Sequence, residues 1–199
     1  MNAMTFLINT VFDLYLMVVI LRFWLQLVKA DFYNPFSQFI VKATQPIVAP
    51  MRRTLPSIGS IDTATVVFAL AVISIKYVLL ISLSANIPVI AMIDQIMNAS
   101  LSGVAKGGYV VLSIVVTLLK QTGMLLFWML LIRAILSWFN QGYNPVVMIM
   151  GQLTEPLIAP IRRIIPPIGG IDLSVLAMFI AMNFLNILFS QYVPFWGMV

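Results

Sequence analysis

Two pairs of adjacent arginines, Arg52-Arg53 and Arg162-Arg163, recur 110 positions apart in one chain. A guanidinium presents its N–H donors as a planar fork that matches phosphate and carboxylate oxygens. A pair of them at the end of a rigid segment is chemistry for holding an anion or a membrane headgroup. Ionisable residues also stand inside long apolar runs, among them Asp13, Arg22, Lys76 and Arg133. Deep in a bilayer such a group costs about 2.5–3.5 kcal/mol on insertion scales, so each needs a partner, water or a reach to the surface. The sequence holds no His and no Cys, which removes zinc sites, haem axial histidines, iron–sulfur clusters, thiol nucleophiles and the commonest general base. There is also no close acidic pair within an apolar run, no Gly-x-Ser-x-Gly and no phosphate-cradling glycine loop. The expectation is a protein that is not an enzyme, with no catalytic residue, metal ligand or cofactor.

The arginine pairs belong to a longer repeat. The segment NPFSQFIVKATQPIVAPMRRTLPSIGSID (34–62) returns without a gap as NPVVMIMGQLTEPLIAPIRRIIPPIGGID (144–172). The two copies share thirteen of twenty-nine residues, including Asn34/Asn144, Pro46/Pro156, Pro50/Pro160, Gly59/Gly169 and Asp62/Asp172. Chance could match aliphatics; it does not match four prolines, two arginines, a glycine and an aspartate in one register. Each half should therefore be one structural unit.

With 62% hydrophobic and 9% charged residues among 199, and a mean hydropathy of +1.06, the chain is far more apolar than a soluble domain. Its solvent must be lipid. The net charge of +5 sits mostly outside the longest apolar runs, which indicates a membrane-facing surface rather than a nucleic-acid site. Four stretches are long enough to span: 4–28, 61–83, 115–139 and 171–189. The first lacks a basic n-region and a small-x-small site and contains Asp13, so it reads as a retained span rather than a cleavable signal.

Between the spans, Asn34-Pro35 and Asn144-Pro145 read as an N-cap followed by a proline in the first turn. Phe36, Phe39, Ile40, Ala43 and Ile47 follow at helical spacing, which predicts a short amphipathic helix lying flat in the interface. Pro46 and Pro50 should kink or stop it. Gly59 reads as a flexible joint, and Asp62 as the cap of the next span. After Pro88 a second amphipathic pattern places Val89, Ile90, Ile93 and Met97 on one side, with Gly103, Gly107 and Gly108 expected to end it. The tail residues Tyr192, Phe195 and Trp196 suit an interface. The organisation expected is a first repeat (1–84), a linker with an amphipathic segment and the start of the third helix (85–114), and a second repeat (115–199).

Lys29, Lys42, Arg52 and Arg53 charge the first repeated loop, and Arg162 and Arg163 the second; the linker has Lys106. The positive-inside rule then places both loops in the cytoplasm and both termini outside. The fold class expected is an all-α membrane protein with four transmembrane helices, arranged as two same-orientation repeats of two. Each repeat carries a proline-rich amphipathic cytoplasmic loop.

Asp13 and Lys76 lie at similar depth, and their counterparts Met124 and Asn186 lose the charge together. That co-loss implies a salt bridge between the first two spans; the alternative is a snorkelling Lys76 and a water-facing Asp13. Arg22 and Arg133 occupy matched places near the loop ends of their spans. Each either reaches the headgroups or points inward toward Glu155, Asp62 or Asp172. The arginine pairs are open to three readings: a topology signal and lipid anchor, a docking surface for a partner, or a gate between repeats.

Arg22, Arg133, the two Asn-Pro pairs, the loops TQPIVAPMRRTLPSIGSID and TEPLIAPIRRIIPPIGGID, and Trp138 together resemble the YggT family, also called YlmG, in its two-repeat form. The first repeat departs slightly, with FWLQ where the second has AILSW and one extra residue before Asn34. The resemblance implies a multi-pass protein of the bacterial inner membrane. It links bacterial members to osmotic-stress tolerance and ion homeostasis, and plastid and cyanobacterial relatives to nucleoid distribution and cytochrome assembly. It brings no catalytic residue set. The function expected is a membrane scaffold or assembly factor. Its basic loops would meet anionic headgroups and either a membrane-protein partner or a second copy, with no direct nucleic-acid partner. The alternative is a channel or transporter component moving a small cation. Transporters tend to break helices at the midplane, whereas the prolines here cluster in the loops.

Overall fold

A computed structural model describes residues 3–83, 87–139, 144–165 and 173–199. Those residues form seven helices: α1 (Ala3–Leu27), α2 (Pro35–Thr54), α3 (Thr63–Ser82), α4 (Pro88–Asn98), α5 (Gly103–Phe139), α6 (Pro145–Ile164) and α7 (Leu173–Tyr192). Four of them, α1, α3, α5 and α7, are long and apolar enough to cross a membrane. Gly169 and Asp172, expected to match Gly59 and Asp62, lie outside the described residues, as does the Trp138 side chain.

Helix α3 is the centre. Ala64, Phe68, Ala69, Val72, Ile73, Tyr77 and Leu80 are buried along it, and it touches α1, α2, α4 and α5. Small residues at Ala64 and Ala69 let neighbouring backbones approach, which matters where lipid offers no hydrophobic driving force between helices. Helix α1 answers with Leu16, Val19, Ile20 and Leu25, while Met4, Phe6, Leu7, Val11 and Leu14 stay exposed as a lipid-facing residue should be. Helix α7 lies outermost. It contacts α5 and α6, and Ser174 is its one buried residue among those described.

Cap chemistry sets the helix ends. Asn34 Oδ1 accepts from the Phe36 amide and Asn144 Oδ1 from the Val146 amide, both at 2.9 Å. Helix α1 closes on Lys29, which adopts a left-handed φ of 52°. The amide of Ala30 bonds the Leu25 carbonyl at 3.0 Å and that of Lys29 the Gln26 carbonyl at 3.2 Å, the paired bonds of a Schellman end. Between α2 and α3, Gly59 is no loose joint. Ile58 and Ile61 exchange two 3.0 Å backbone bonds around it, and its φ of 60° fits the first central position of a type II′ turn.

Several expectations need correction. Helix α2 does not stop at its prolines: it runs through Pro46 and Pro50, as α6 does through Pro156 and Pro160. Each internal proline costs about 3 kcal/mol or more in lost hydrogen bonding and steric clash. Burial of Ile40, Thr44 and Val48 against the bundle opposes that cost. The buried face also differs from the one the spacing indicated, since Phe39 and Ile47 are exposed and Ala43 with them. The glycines at 103, 107 and 108 end nothing; α5 begins at Gly103 and runs 37 residues, about 55 Å at ~1.5 Å per residue. Tyr109 to Ile114 therefore belongs to that helix. Met97, placed with the apolar side after Pro88, is exposed; Phe195 and Trp196 are buried, with Trp196 Nε1 donating to Asn186 Oδ1 at 2.9 Å.

Asp13 and Lys76 meet: Lys76 Nζ donates to Asp13 Oδ1 at 2.6 Å, with side chains 8% and 25% exposed respectively. Gln121 Nε2 of α5 adds a third contact to the same oxygen at 3.2 Å, and Tyr77 and Thr117 share a hydroxyl pair at 2.6 Å one turn away. Removing one member strands the other charge, which costs toward the lower end of about 3–5 kcal/mol here because Asp13 is partly exposed. Asp13→Met and Lys76→Asn should each lower the unfolding midpoint in detergent. The double replacement, which installs the second repeat's own residues, should recover most of the loss; single variants as stable as the parent would refute the tie.

Candidate functional site

The end of the bundle where α1 and α5 finish is built around the two span arginines. Arg22 Nη1 donates to Thr44 Oγ1 at 2.7 Å and to the Val41 carbonyl at 3.3 Å, and its Nη2 donates to Gln45 Oε1 at 2.8 Å. Arg133 repeats the set: Nη1 to Thr154 Oγ1 at 2.7 Å and to the Gly151 carbonyl at 3.4 Å, Nη2 to Glu155 Oε2 at 3.1 Å. Each threonine hydroxyl donates in turn to the carbonyl four residues back, Ile40 at 2.8 Å and Met150 at 2.6 Å. The threonine hydroxyl serves as acceptor and donor at once, the two arginine Nη atoms are held, and the proline helix is locked to its span. Neither guanidinium is spent on snorkelling, and Arg22 is fully enclosed.

The arginine pairs divide their work. Arg52 binds Asp62 through Nε and Nη2 and also donates to Gln26 Oε1 at 2.9 Å; Arg162 Nη1 donates to Glu155 Oε1 at 3.0 Å. Arg53 and Arg163 are exposed. Asp62 precedes α3, but its side chain makes no capping bond. It accepts instead from Arg52 and from Thr65 Oγ1 at 2.5 Å, and Thr63 Oγ1 reaches the Pro56 carbonyl at 2.7 Å.

The two proline helices touch each other. Asn34 Nδ2 donates to the Pro145 carbonyl, Trp24 Nε1 to the Leu153 carbonyl and the Asp31 amide to Gln152 Oε1, each at 2.8 Å. Bonds of this kind, in which residues of one half address the backbone or a side chain of the other, could not be inferred from spacing within a repeat. Lys120 also escaped the sequence reading, although it is a lone cation in an apolar run. Its Nζ donates to the Trp196 carbonyl at 2.8 Å and to that of Val199.

Four apolar helices with a proline-crossed, arginine-locked helix following the first and the third define an α-helical membrane protein built by internal duplication. The model of the CCB3/YggT family matches residues 1–83 and again 112–193. The chain belongs to that family. It is 54% identical over 197 residues to a Vibrio alginolyticus protein of the proC 3′ region, covering 98% of both chains. It is 40% identical over 186 residues to YggT of Escherichia coli K12, covering 94% of this chain and 88% of that one. To the chloroplastic YlmG homolog protein 2 of Arabidopsis thaliana it is 35% identical over 54 residues, 27% of this chain and 22% of the relative. No solved structure matches it.

The Asp62 carboxyl is enclosed, and burial, the largest single influence, pushes its pKa up. The hydrogen bonds from Arg52 and Thr65 and the charge of Arg52 outweigh that, so the group titrates below the ordinary aspartate value. A folded pKa below the unfolded one gives stability that is present at neutral pH and lost as pH falls through the folded value. Thermal unfolding in detergent should show the parent losing stability below about pH 4. Asp62→Asn should start less stable at pH 7, by about 1.5–3 kcal/mol for each charged hydrogen bond weakened, and show a flatter acid limb.

Proposed function

We propose that the protein is a non-enzymatic scaffold of the bacterial inner membrane, whose paired proline helices lie in the inner headgroup layer and hold anionic lipid and a membrane partner. The observation that carries this is the division within each arginine pair. Arg52 and Arg162 are committed to carboxylates, while Arg53 and Arg163 are displayed beside them. The exposed stripe Phe39, Ala43 and Ile47 on α2, with Lys42 alongside, adds an apolar footing next to the displayed charge. The 2.8 Å bond between Asn34 and Pro145 sets the starts of α2 and α6 together, which supports two repeats inserted in the same sense; the lysines and arginines of the loops are what favour the cytoplasmic side. The family resemblance to osmotic-stress and ion-homeostasis proteins fits a scaffold that organises other membrane components.

A cation path is the second reading, and Asp13 is the residue that favours it. Its oxygen is already held by Lys76 and Gln121, so a passing cation would have to displace an ammonium.

The lack of cysteine makes topology directly measurable. A membrane-impermeant maleimide should label Met4→Cys from the periplasm in intact cells, and Thr54→Cys and Ile164→Cys only after permeabilisation. Charge reversal by Arg53→Glu with Arg163→Glu should remove the preference for phosphatidylglycerol nanodiscs, by about 1 kcal/mol per basic residue near the surface. Proteoliposomes should carry no potassium or sodium flux; reproducible flux abolished by Asp13→Asn would overturn the scaffold in favour of transport.

A further inference from the structure

Between α1 and α2 lies a cleft of about 410 Å³ lined by Arg22, Gln26, Lys29, Ser37, Gln45 and Arg52 among others, a size typical of small-ligand sites. Two buried donors on its wall, Arg22 Nε and Ser37 Oγ, have no hydrogen-bond partner among the described residues. Arg22 is 4% exposed and Ser37 2%, so neither group finds water readily. The hydrogen-bond partners of Arg22 are neutral oxygens, and burial of its charge without a carboxylate is costly. Lys29 is brought to the rim by the left-handed turn that ends α1, a conformation a lysine adopts only at some cost.

The second repeat shows what a neutralised version looks like. Glu155 stands where the first repeat has Gln45 and accepts from both Arg133 and Arg162. Val147 replaces Ser37, and no basic residue lies between Arg133 and Asn144. One copy carries its own counter-anion; in the other, the lining of the cleft holds three cations, two unspent donors and no carboxylate, with Asp62 answering Arg52 from outside it and the exposed Asp31 two residues beyond Lys29.

We propose that the cleft of the first repeat binds one phosphate group. Arg22 Nε and Ser37 Oγ donate to its oxygens, and Lys29 and Arg52 close on it from the rim. This rests on the headgroup-level placement argued above only if the phosphate belongs to a lipid. A free phosphate needs no such placement.

Purified protein in neutral detergent, with thermal unfolding as the readout, tests it. One arm titrates inorganic phosphate against chloride at equal ionic strength. The other titrates short-chain phosphatidylglycerol against short-chain phosphatidylcholine. A saturable rise in Tm in either arm is expected, and the arm that responds names the source. Lys29→Gly should weaken the apparent affinity about tenfold, the scale of one lost charge-assisted contact. It should not weaken the fold, because glycine suits the left-handed turn. Ser37→Val, the second repeat's residue, should act in the same direction. Arg53→Glu, outside the cleft, should leave the response to inorganic phosphate intact while shifting bulk lipid preference, which separates failure of the site from failure of the scaffold reading. Equal shifts with chloride and phosphatidylcholine, or a parent-like response in both Lys29→Gly and Ser37→Val, would overturn the proposal.

Discussion

A buried guanidinium holding a threonine one helix away is the constraint on which the rest of this end of the molecule depends. Helices α2 and α6 are poor helices by local rules, each crossed by two prolines that remove backbone donors. They persist because Arg22 and Arg133 reach across at 2.7 Å to Thr44 and Thr154 and also touch a backbone carbonyl in the turn just before the first internal proline. The threonine is bound on both sides, as donor to its own helix and acceptor from the arginine. An arginine inside an apolar helix and prolines inside a polar one look like separate anomalies; each is the condition for the other.

That reciprocity explains which features were legible in the sequence. The N-caps at Asn34 and Asn144 and the four apolar helices followed from local rules, because cap chemistry and span length are decided within a few residues. The Asp13–Lys76 contact was reachable for a different reason: two charges lost together in the second copy mark each other as partners. The continuity of α2 was not legible, since the support for its prolines lies nineteen or more residues away on α1. Nor was its buried face, because Phe39 and Ile47 outrank Ser37 and Thr44 on any hydrophobicity scale. Yet the polar pair faces the bundle, where Thr44 meets Arg22, and the apolar pair faces outward. In a membrane protein apolarity does not mark the inside.

The two copies also differ in how they are packed. In the first, α3 is buried along half its apolar window and is tied to α1 by an ion pair; in the second, only 6% of the α7 window is buried. Asn186, in the place of Lys76, turns to Trp196 instead of to α5. The duplicated unit has thus become a central helix in one copy and an outer one in the other, while the arginine–threonine lock has been kept in both.

One substitution inside the lock carries the divergence furthest. Exchanging Gln45 for Glu155 keeps an oxygen acceptor for the arginine Nη2 but adds a charge, and that charge binds a second arginine, Arg162. In the second copy Arg133 and Arg162 thereby share one carboxylate. In the first, Arg52 must find its carboxylate at Asp62, beyond the Gly59 turn, and Arg22 is left with neutral partners. A chain that uses one copy as a brace and the other to receive an anion would keep this asymmetry, and the amide-for-carboxylate difference is the smallest chemical change that produces it.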